Sequence, residues 1–351
     1  MKSHLIFILM TSVTLGISSC GPLDDEDEPP TDCSIDENTY AESDFTPDED
    51  WDPNAQELNI AEEDPGALRI MTATSSDGTT WVRDHKKLID QAGALDAVTD
   101  KEGRIFLYYT SGTEDLDDKV VVAVSEDDGV TWVHKYVTFD GWTAGKIVDT
   151  ATINLADGTF RSYFMSAFPE DENPPLIRSA ISCDGLTYTI EEGLRVDSLT
   201  SGAIPLAPKV MALNGETHLY LIDNASEEKN AHFVSSDGLS FTQEDNIDLD
   251  IILASSLTIG SQQYYYGQKV KEATGEPNFS IYYTTTADGY TYSTSTEVFG
   301  VEPDDSDSLD FFLVKKPVVV QLKDGTYLMF YLTGFKCEDD TTTPDADYGC
   351  P

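Results

Sequence analysis

Between residues 66 and 334, apolar and polar positions alternate in short runs, the period-two pattern of strands that bury one face. Five of these runs are rich in tyrosine and each follows a turn pair. Glu102-Gly103 precedes 105–109, Asp157-Gly158 precedes 160–165, and Asn214-Gly215 precedes 218–222. Gly260-Ser261 precedes 264–266, and Asp324-Gly325 precedes 327–332. An apolar run stands before each of them, as at 147–155 and 314–322. The pattern predicts an all-β protein built from hairpins.

A second unit recurs at a spacing of about fifty residues, the length of a four-stranded propeller blade. It reads Ser75-Ser76-Asp77-Gly78-Thr79-Thr80-Trp81, Ser125-Glu126-Asp127-Asp128-Gly129-Val130-Thr131-Trp132, and Ser182-Cys183-Asp184-Gly185-Leu186-Thr187-Tyr188. It returns as Ser235-Ser236-Asp237-Gly238-Leu239-Ser240-Phe241 and Thr286-Ala287-Asp288-Gly289-Tyr290-Thr291-Tyr292. Asp-Gly suits the positive φ of a tight turn. The carboxylate and hydroxyl can bond the turn's own amides, and the aromatic ring packs beneath. These aspartates are therefore structural.

The chain opens with two strands, 68–74 and 80–83, and closes with two, 313–322 and 326–333. Four whole blades lie between. Joining the two halves gives a five-bladed β-propeller whose ring closes without a covalent bond and hides its sheet edges.

Outside the propeller the pattern changes. Lys2, an apolar run from Leu5 to Ile17 and the small pair Ser18-Ser19 precede Cys20, as in an exported precursor. Ile17-Ser18-Ser19-Cys20 resembles the lipobox of bacterial lipoproteins. That resemblance implies a signal peptide at 1–19, lipidation of Cys20 and, with Gly21 next, delivery to the outer membrane. No second apolar run is long enough for a transmembrane helix. Residues 20–65 are acidic, with scattered proline, and are expected to form a disordered tether to the propeller at 66–336.

The net charge of −44, from 65 acidic and 21 basic residues, excludes nucleic acid as a partner. Export permits disulfides. Cys337 and Cys350 bracket the acidic tail at 337–351 and are the candidate pair, leaving the pairing of Cys33 and Cys183 open. No Cys/His cluster suggests zinc. Asp304-Asp305-Ser306-Asp307 and Asp339-Asp340 could offer oxygen ligands to Ca²⁺ but lack a recognisable loop spacing. No cofactor or metal site is expected.

The repeats resemble two groups of carbohydrate-active propellers. The turns are similar to the Asp boxes of sialidases, whose full form, with a residue between Asp and Gly, occurs only at 125–132. That group also implies six blades and an arginine triad. Here Arg69, Arg83, Arg104, Arg161, Arg178 and Arg195 are scattered along the chain. The shorter hairpins and the Tyr-rich units look like the five-bladed arabinanases, levansucrases and invertases, including glycoside hydrolase families 43 and 32. This resemblance spans 66–334. It implies acids at the starts of inner strands, one a general acid and another a base or nucleophile.

On this chain, the resemblance places Asp96 as base or nucleophile and Asp149 as supporting aspartate. Where a Glu-x-Pro is expected stands Leu206-Ala207-Pro208-Lys209, and Lys316-Pro317-Val318 replaces an Asp-Pro unit. Glu191 or Glu192 would have to bring the missing acid from a loop. Lys315 and Lys316 read as solvated or salt-bridged. Two functions stay open: a surface glycosidase with a rearranged site, or a non-catalytic propeller that binds a glycan or a protein. The Tyr-rich strands suggest walls for sugar stacking. Sialidase activity is a third and weaker alternative.

Overall fold

The computed structural model describes residues 33, 35–36, 38–47, 68–111, 119–143, 146–167, 175–223, 225, 229–271, 278–302 and 313–334. Cys20, Cys337, Cys350 and the acidic stretches at 304–307 and 339–340 lie outside the described residues.

Five sheets, antiparallel but for one added strand, surround one axis. Blade 1 is β3 (Ala92–Thr99), β4 (Ile105–Ser111), β5 (Val120–Ser125) and β6 (Val133–Tyr136). Blade 2 is β8 (Lys146–Asn154), β9 (Phe160–Ala167), β10 (Leu176–Ser182) and β11 (Thr187–Ile190). It gains a fifth strand, β7 (Thr138–Asp140), which pairs parallel to β11 and was not anticipated from the repeat. Blade 3 is β12 (Leu206–Leu213), β13 (Glu216–Asp223), β14 (Lys229–Ser235) and β15 (Thr242–Gln243). Blade 4 is β16 (Ile252–Ile259), β17 (Gln262–Lys271), β18 (Asn278–Thr286) and β19 (Thr296–Gly300).

Blade 5 is assembled from both ends of the propeller. Its order is β20 (Lys315–Gln321), β21 (Tyr327–Gly334), β1 (Leu68–Ser75) and β2 (Val82–Asp90). The register between its halves runs unbroken from Leu68↔Gly334 to Ser75↔Tyr327. Ile70, Met71 and Ala73 are fully buried at this seam, so apolar burial and a continuous ladder close the ring together. Each inner strand touches the next: β3, β8, β12, β16, β20 and β3 again.

The five aspartate turns bond as the sequence suggests. Asp77 accepts from the backbone amides of Thr79 and Thr80 at 2.7 Å each, and Ser75 Oγ accepts from Gly78 N at 2.8 Å. These bonds hold the Asp77 carboxyl well below the usual carboxylate range. The closing aromatic turns back as well, with Trp81 Nε1 donating to the Gly78 carbonyl at 3.1 Å.

Each turn also docks on the preceding blade. Tyr108 of blade 1 donates to the Gly185 carbonyl of blade 2 at 3.1 Å, and Tyr163 of blade 2 to Gly238 of blade 3 at 2.8 Å. Tyr220 of blade 3 donates to Gly289 of blade 4 at 3.4 Å, and Tyr266 of blade 4 to Gly78 of blade 5 at 2.7 Å. The fifth junction has no tyrosine staple among the described residues. Lys323 of blade 5 donates from Nζ to the Glu126 carbonyl at 2.6 Å and from its backbone N to Asp128 Oδ1 at 3.1 Å, and apolar contacts complete it. The longer turn of blade 1 sets Gly129 against Leu328, and Trp132 meets Phe330 edge-on at 5.8 Å. Gly185 shows why glycine is needed at such a docking point. Its φ is 72°, and a Cβ there would stand 2.9 Å from the Tyr108 hydroxyl. These four tyrosines are almost completely buried, which corrects the expectation that they form sugar-stacking walls. Their hydroxyls are committed to staples between blades.

Part of the stretch expected to be tether is packed. Cys33 is disulfide-bonded to Cys183 in the turn of blade 2, which answers the pairing left open by the sequence. Beyond it, Tyr40 is buried edge-on against Phe106 at 5.5 Å and donates to the Asp184 carbonyl. Asp44 N donates to the His134 carbonyl at 2.8 Å, and Phe45 stacks on Tyr136 at 5.0 Å. Residues 38–47 therefore follow blades 1 and 2. A covalent link and two aromatic contacts overcome the acidic composition that suggested disorder.

Candidate functional site

The inner strands start irregularly, and the irregularity sets the site. Register shifts fall between Gly93 and Asp96, Val148 and Ala151, Leu206 and Lys209, and Lys315 and Val318. Blade 4 has a shorter one, between Leu253 and Ser255. Within the four longer bulges one residue is left-handed: Ala94 (φ 49°), Asp149 (φ 50°), Ala207 (φ 48°) and Lys316 (φ 49°). Non-glycine residues pay a backbone cost there, and such positions gather at functional centres.

The bulges sort the charged groups into two layers. Asp149 and Lys316 occupy the left-handed position itself, on β8 and β20. Their side chains pair at 3.1 Å (Asp149 Oδ1 to Lys316 Nζ), with 18% and 27% exposure. Asp96 and Lys209 lie two residues further along β3 and β12. The two aspartates named from sequence therefore both reach the axis, but they are not equivalent positions. The salt-bridged reading of Lys316 holds. Lys209, to which the sequence assigned no role beside the missing acid at Leu206, proves to be part of the cluster.

Burial dominates the electrostatics. Asp96 is 8% exposed, and desolvation lifts its carboxyl to about 6 against the pull of Lys209 and a 2.6 Å bond from Thr152 N. That bond also ties blade 1 to blade 2, so Asp96 has a structural duty. Burial works against ionised Asp149 too. There Lys316, Lys209 and Lys315 prevail and hold its carboxyl below the usual range. Lys209 is pushed down by burial and by Lys316, and is supported by Asp96 and Asp149.

The signs give a test of this environment. An acid raised from 3.8 to about 6 opposes folding once the pH exceeds its unfolded value, and the penalty saturates above about pH 6. Replacing Asp96→Asn keeps an oxygen for Thr152 N and removes that penalty. The variant's stability relative to wild type is expected to improve by about 2 kcal/mol between pH 4.5 and pH 8. Thermal unfolding at both pH values measures this, and a pH-independent difference sinks the assignment.

Other expected participants lie elsewhere. Glu191 accepts from Arg161 Nη2 at 2.9 Å and from Ser179 Oγ at 2.6 Å, on the middle strands β9 and β10. Glu192 is exposed beside it. Neither brings an acid to the funnel, because the arginine holds Glu191 inside blade 2. None of the six arginines stands on an inner strand. Arg69 pairs with Asp90 at 2.9 Å within blade 5, and Arg195 donates to the Leu239 carbonyl at 2.7 Å. With five blades and dispersed arginines, the sialidase alternative loses its structural basis among the described residues. No cluster of three or more His, Cys, Asp or Glu suited to a metal occurs among the described residues. A cavity of about 440 Å³ lies off the axis between 244–249 and 290–292, away from all this chemistry.

No protein-family model matches the chain, and no curated protein matches it. Solved structures do. A thermostable family-43 glycoside hydrolase is 14% identical with a TM-score of 0.52, over 71% of this chain and 90% of its own. An N-acetylgalactosamine deacetylase from F. plautii, in complex with blood group B trisaccharide, is 14% identical with a TM-score of 0.52, over 77% and 96%. A GH32 beta-fructofuranosidase from Bombyx mori is 11% identical with a TM-score of 0.51, over 79% and 60%.

They share its fold. The propeller is five-bladed, and its structural neighbours include glycoside hydrolases. At these identities the likeness does not extend to an activity, and the named neighbours themselves differ in what they do.

Proposed function

We propose that this propeller is an exported, lipid-anchored glycan-binding protein that holds carbohydrate at its funnel and does not cleave it. The observation that carries the reading is the state of the two funnel aspartates. Asp149 is neutralised by Lys316, and Asp96 faces Lys209 and bonds Thr152 N. Cleavage by two carboxyls needs a protonated acid and an ionised partner, about 5–5.5 Å or 6.5–9.5 Å apart. The described funnel offers Asp96 and no second carboxyl free of a lysine. Support for carbohydrate comes from the structural neighbours, one a glycoside hydrolase and one holding a trisaccharide.

One observation favours hydrolysis as a second reading. A desolvated carboxyl near 6 is tuned as a proton donor close to neutral pH. The two readings separate on a panel of aryl glycosides and glycans. Binding without turnover is expected. Turnover that disappears in Asp96→Asn, with binding kept, would overturn the binding reading in favour of hydrolysis.

Anchoring is tested apart from sugar. Cys20→Ser is expected to abolish lipid labelling and move the protein to the soluble fraction. A variant that stays with the membrane removes the lipobox argument.

A further inference from the structure

We propose that the axial cavity beyond Lys209 is a separate binding site for a monosaccharide-sized anion, a sugar carboxylate whose charged group rests on the Lys209 ammonium. This goes beyond glycan binding at the mouth. The cavity measures about 390 Å³ and is walled by residues 96–99, 151–154, 209–212, 254–258 and 319–321, with Gln263. It begins at the layer of Asp96 and Lys209 and runs toward the C-terminal ends of the inner strands. Asp149 and Lys316 do not line it. It therefore occupies the end of the axis that carries the aspartate turns.

The unused hydrogen-bonding groups define the ligand. Lys209 Nζ, half-buried, makes no hydrogen bond to any described residue, and its ammonium is met only by neighbouring charges. Asn154 Nδ2, on the same wall, is buried without a partner. Two acceptors on the wall are engaged: Asp96 Oδ2 by Thr152 N, and Gln263 Oε1 by Thr258 Oγ1 at 2.5 Å. The two unpartnered donors, Lys209 Nζ and Asn154 Nδ2, call for a ligand that brings acceptors.

Charge narrows the class further. A desolvated ammonium needs a counter-charge. Asp149 is already paired with Lys316, which leaves Lys209 the weak acid Asp96. A ligand carboxylate completes the set with charge-assisted bonds. The volume admits a small molecule and not a polymer strand. Three residues of strand, about 10 Å, separate the level of Lys209 from that of Asn154. A sugar acid together with the reach of the lysine spans that distance. Ser256, Thr258 and Gln321 add polar wall for its hydroxyls.

The titratable groups facing Asp96 are Lys209 from β12, Tyr108 from β4 and Tyr188 from β11, and both tyrosines are pushed above 10 by burial. Between pH 7 and pH 5 Asp96 is therefore the group that changes, and its protonation removes a negative charge from the cavity. Anion affinity is expected to rise about threefold to tenfold over that interval.

The experiment is calorimetric titration of the purified protein with D-glucuronate, glucose and sulfate at pH 5 and pH 7. Glucuronate is expected to bind, more tightly at pH 5, with glucose at least tenfold weaker. Lys209→Met is expected to lose tenfold or more, and Asn154→Ala about threefold to tenfold. Asn154→Ala keeps the test decisive if Lys209→Met fails to fold. Glucose binding as well as glucuronate, sulfate matching glucuronate, or unchanged affinity in the folded variants would each overturn the assignment. Glycan binding at the mouth is followed in Asn154→Ala, which lies outside the funnel cluster, and is expected to persist there, so it reports on the other site alone.

Discussion

Deleting residues 68–90 is expected to leave a chain that no longer folds to a soluble monomer. That segment holds β1 and β2, half of blade 5. Its removal strips the partner from β21, whose residues from Tyr327 to Gly334 are all buried. An edge of that length, apolar and unpaired, is a template for aggregation. The deletion takes the buried Arg69 away together with its partner Asp90, and it also takes Arg83 from Glu302, a partly exposed pair at 3.3 Å. Size-exclusion chromatography and thermal melting read the outcome. A monomer melting within a few degrees of wild type would show that four and a half blades suffice. A milder probe is Ile70→Ala, which opens a void at the fully buried seam and is expected to cost about 2–5 kcal/mol.

Lys316→Met should produce the second large effect, by stranding Asp149 in the funnel with only the other lysines. Losing one member of a fully buried pair costs about 3–5 kcal/mol. Here the side chains keep 18% and 27% exposure, so about 2–3 kcal/mol is expected. The sign of the pH dependence follows from the direction of the shift. Asp149 is depressed in the folded state, so its stabilising contribution is present above the unfolded carboxylate value of 3.8 and is lost as the pH falls through the lower folded value. The gap between wild type and Lys316→Met should therefore narrow in acid. Adding Asp149→Leu should recover most of the loss at neutral pH. Denaturant unfolding of the three variants at two pH values decides it, and a double variant no better than the single one refutes the pairing.

Local chemistry was the most legible part of this protein. An Asp-Gly turn bonds its own amides, so the five turns could be read residue by residue and the half-blades at the two ends could be counted. The tyrosines misled because alternation tells which residues share a face of a strand, not what that face meets. Tyr108 and Tyr163 meet a turn some seventy-five residues away in the chain. The bulges hid the layering of the site. Each of β3, β8, β12 and β20 carries the same bulge, with Asp149 and Lys316 at its left-handed position and Asp96 and Lys209 two residues further on, and nothing in the alternation marks it. Cys33 and Cys183 are separated by 150 positions, and cysteine content alone does not decide among pairings.

The non-covalent seam of blade 5 also sets an order of events. β1 and β2 are made first, yet the strand that completes them, β21, is among the last parts of the propeller to be synthesised. Until then their ladder is unfilled, and contacts this distant in sequence form slowly. A chain interrupted anywhere before β21 has no partner for its own beginning. Incomplete copies therefore expose an open sheet, which cellular proteases and chaperones recognise, while the finished copy has this ladder paired from Leu68 to Ser75. The seam makes completeness of the chain a condition of its folding.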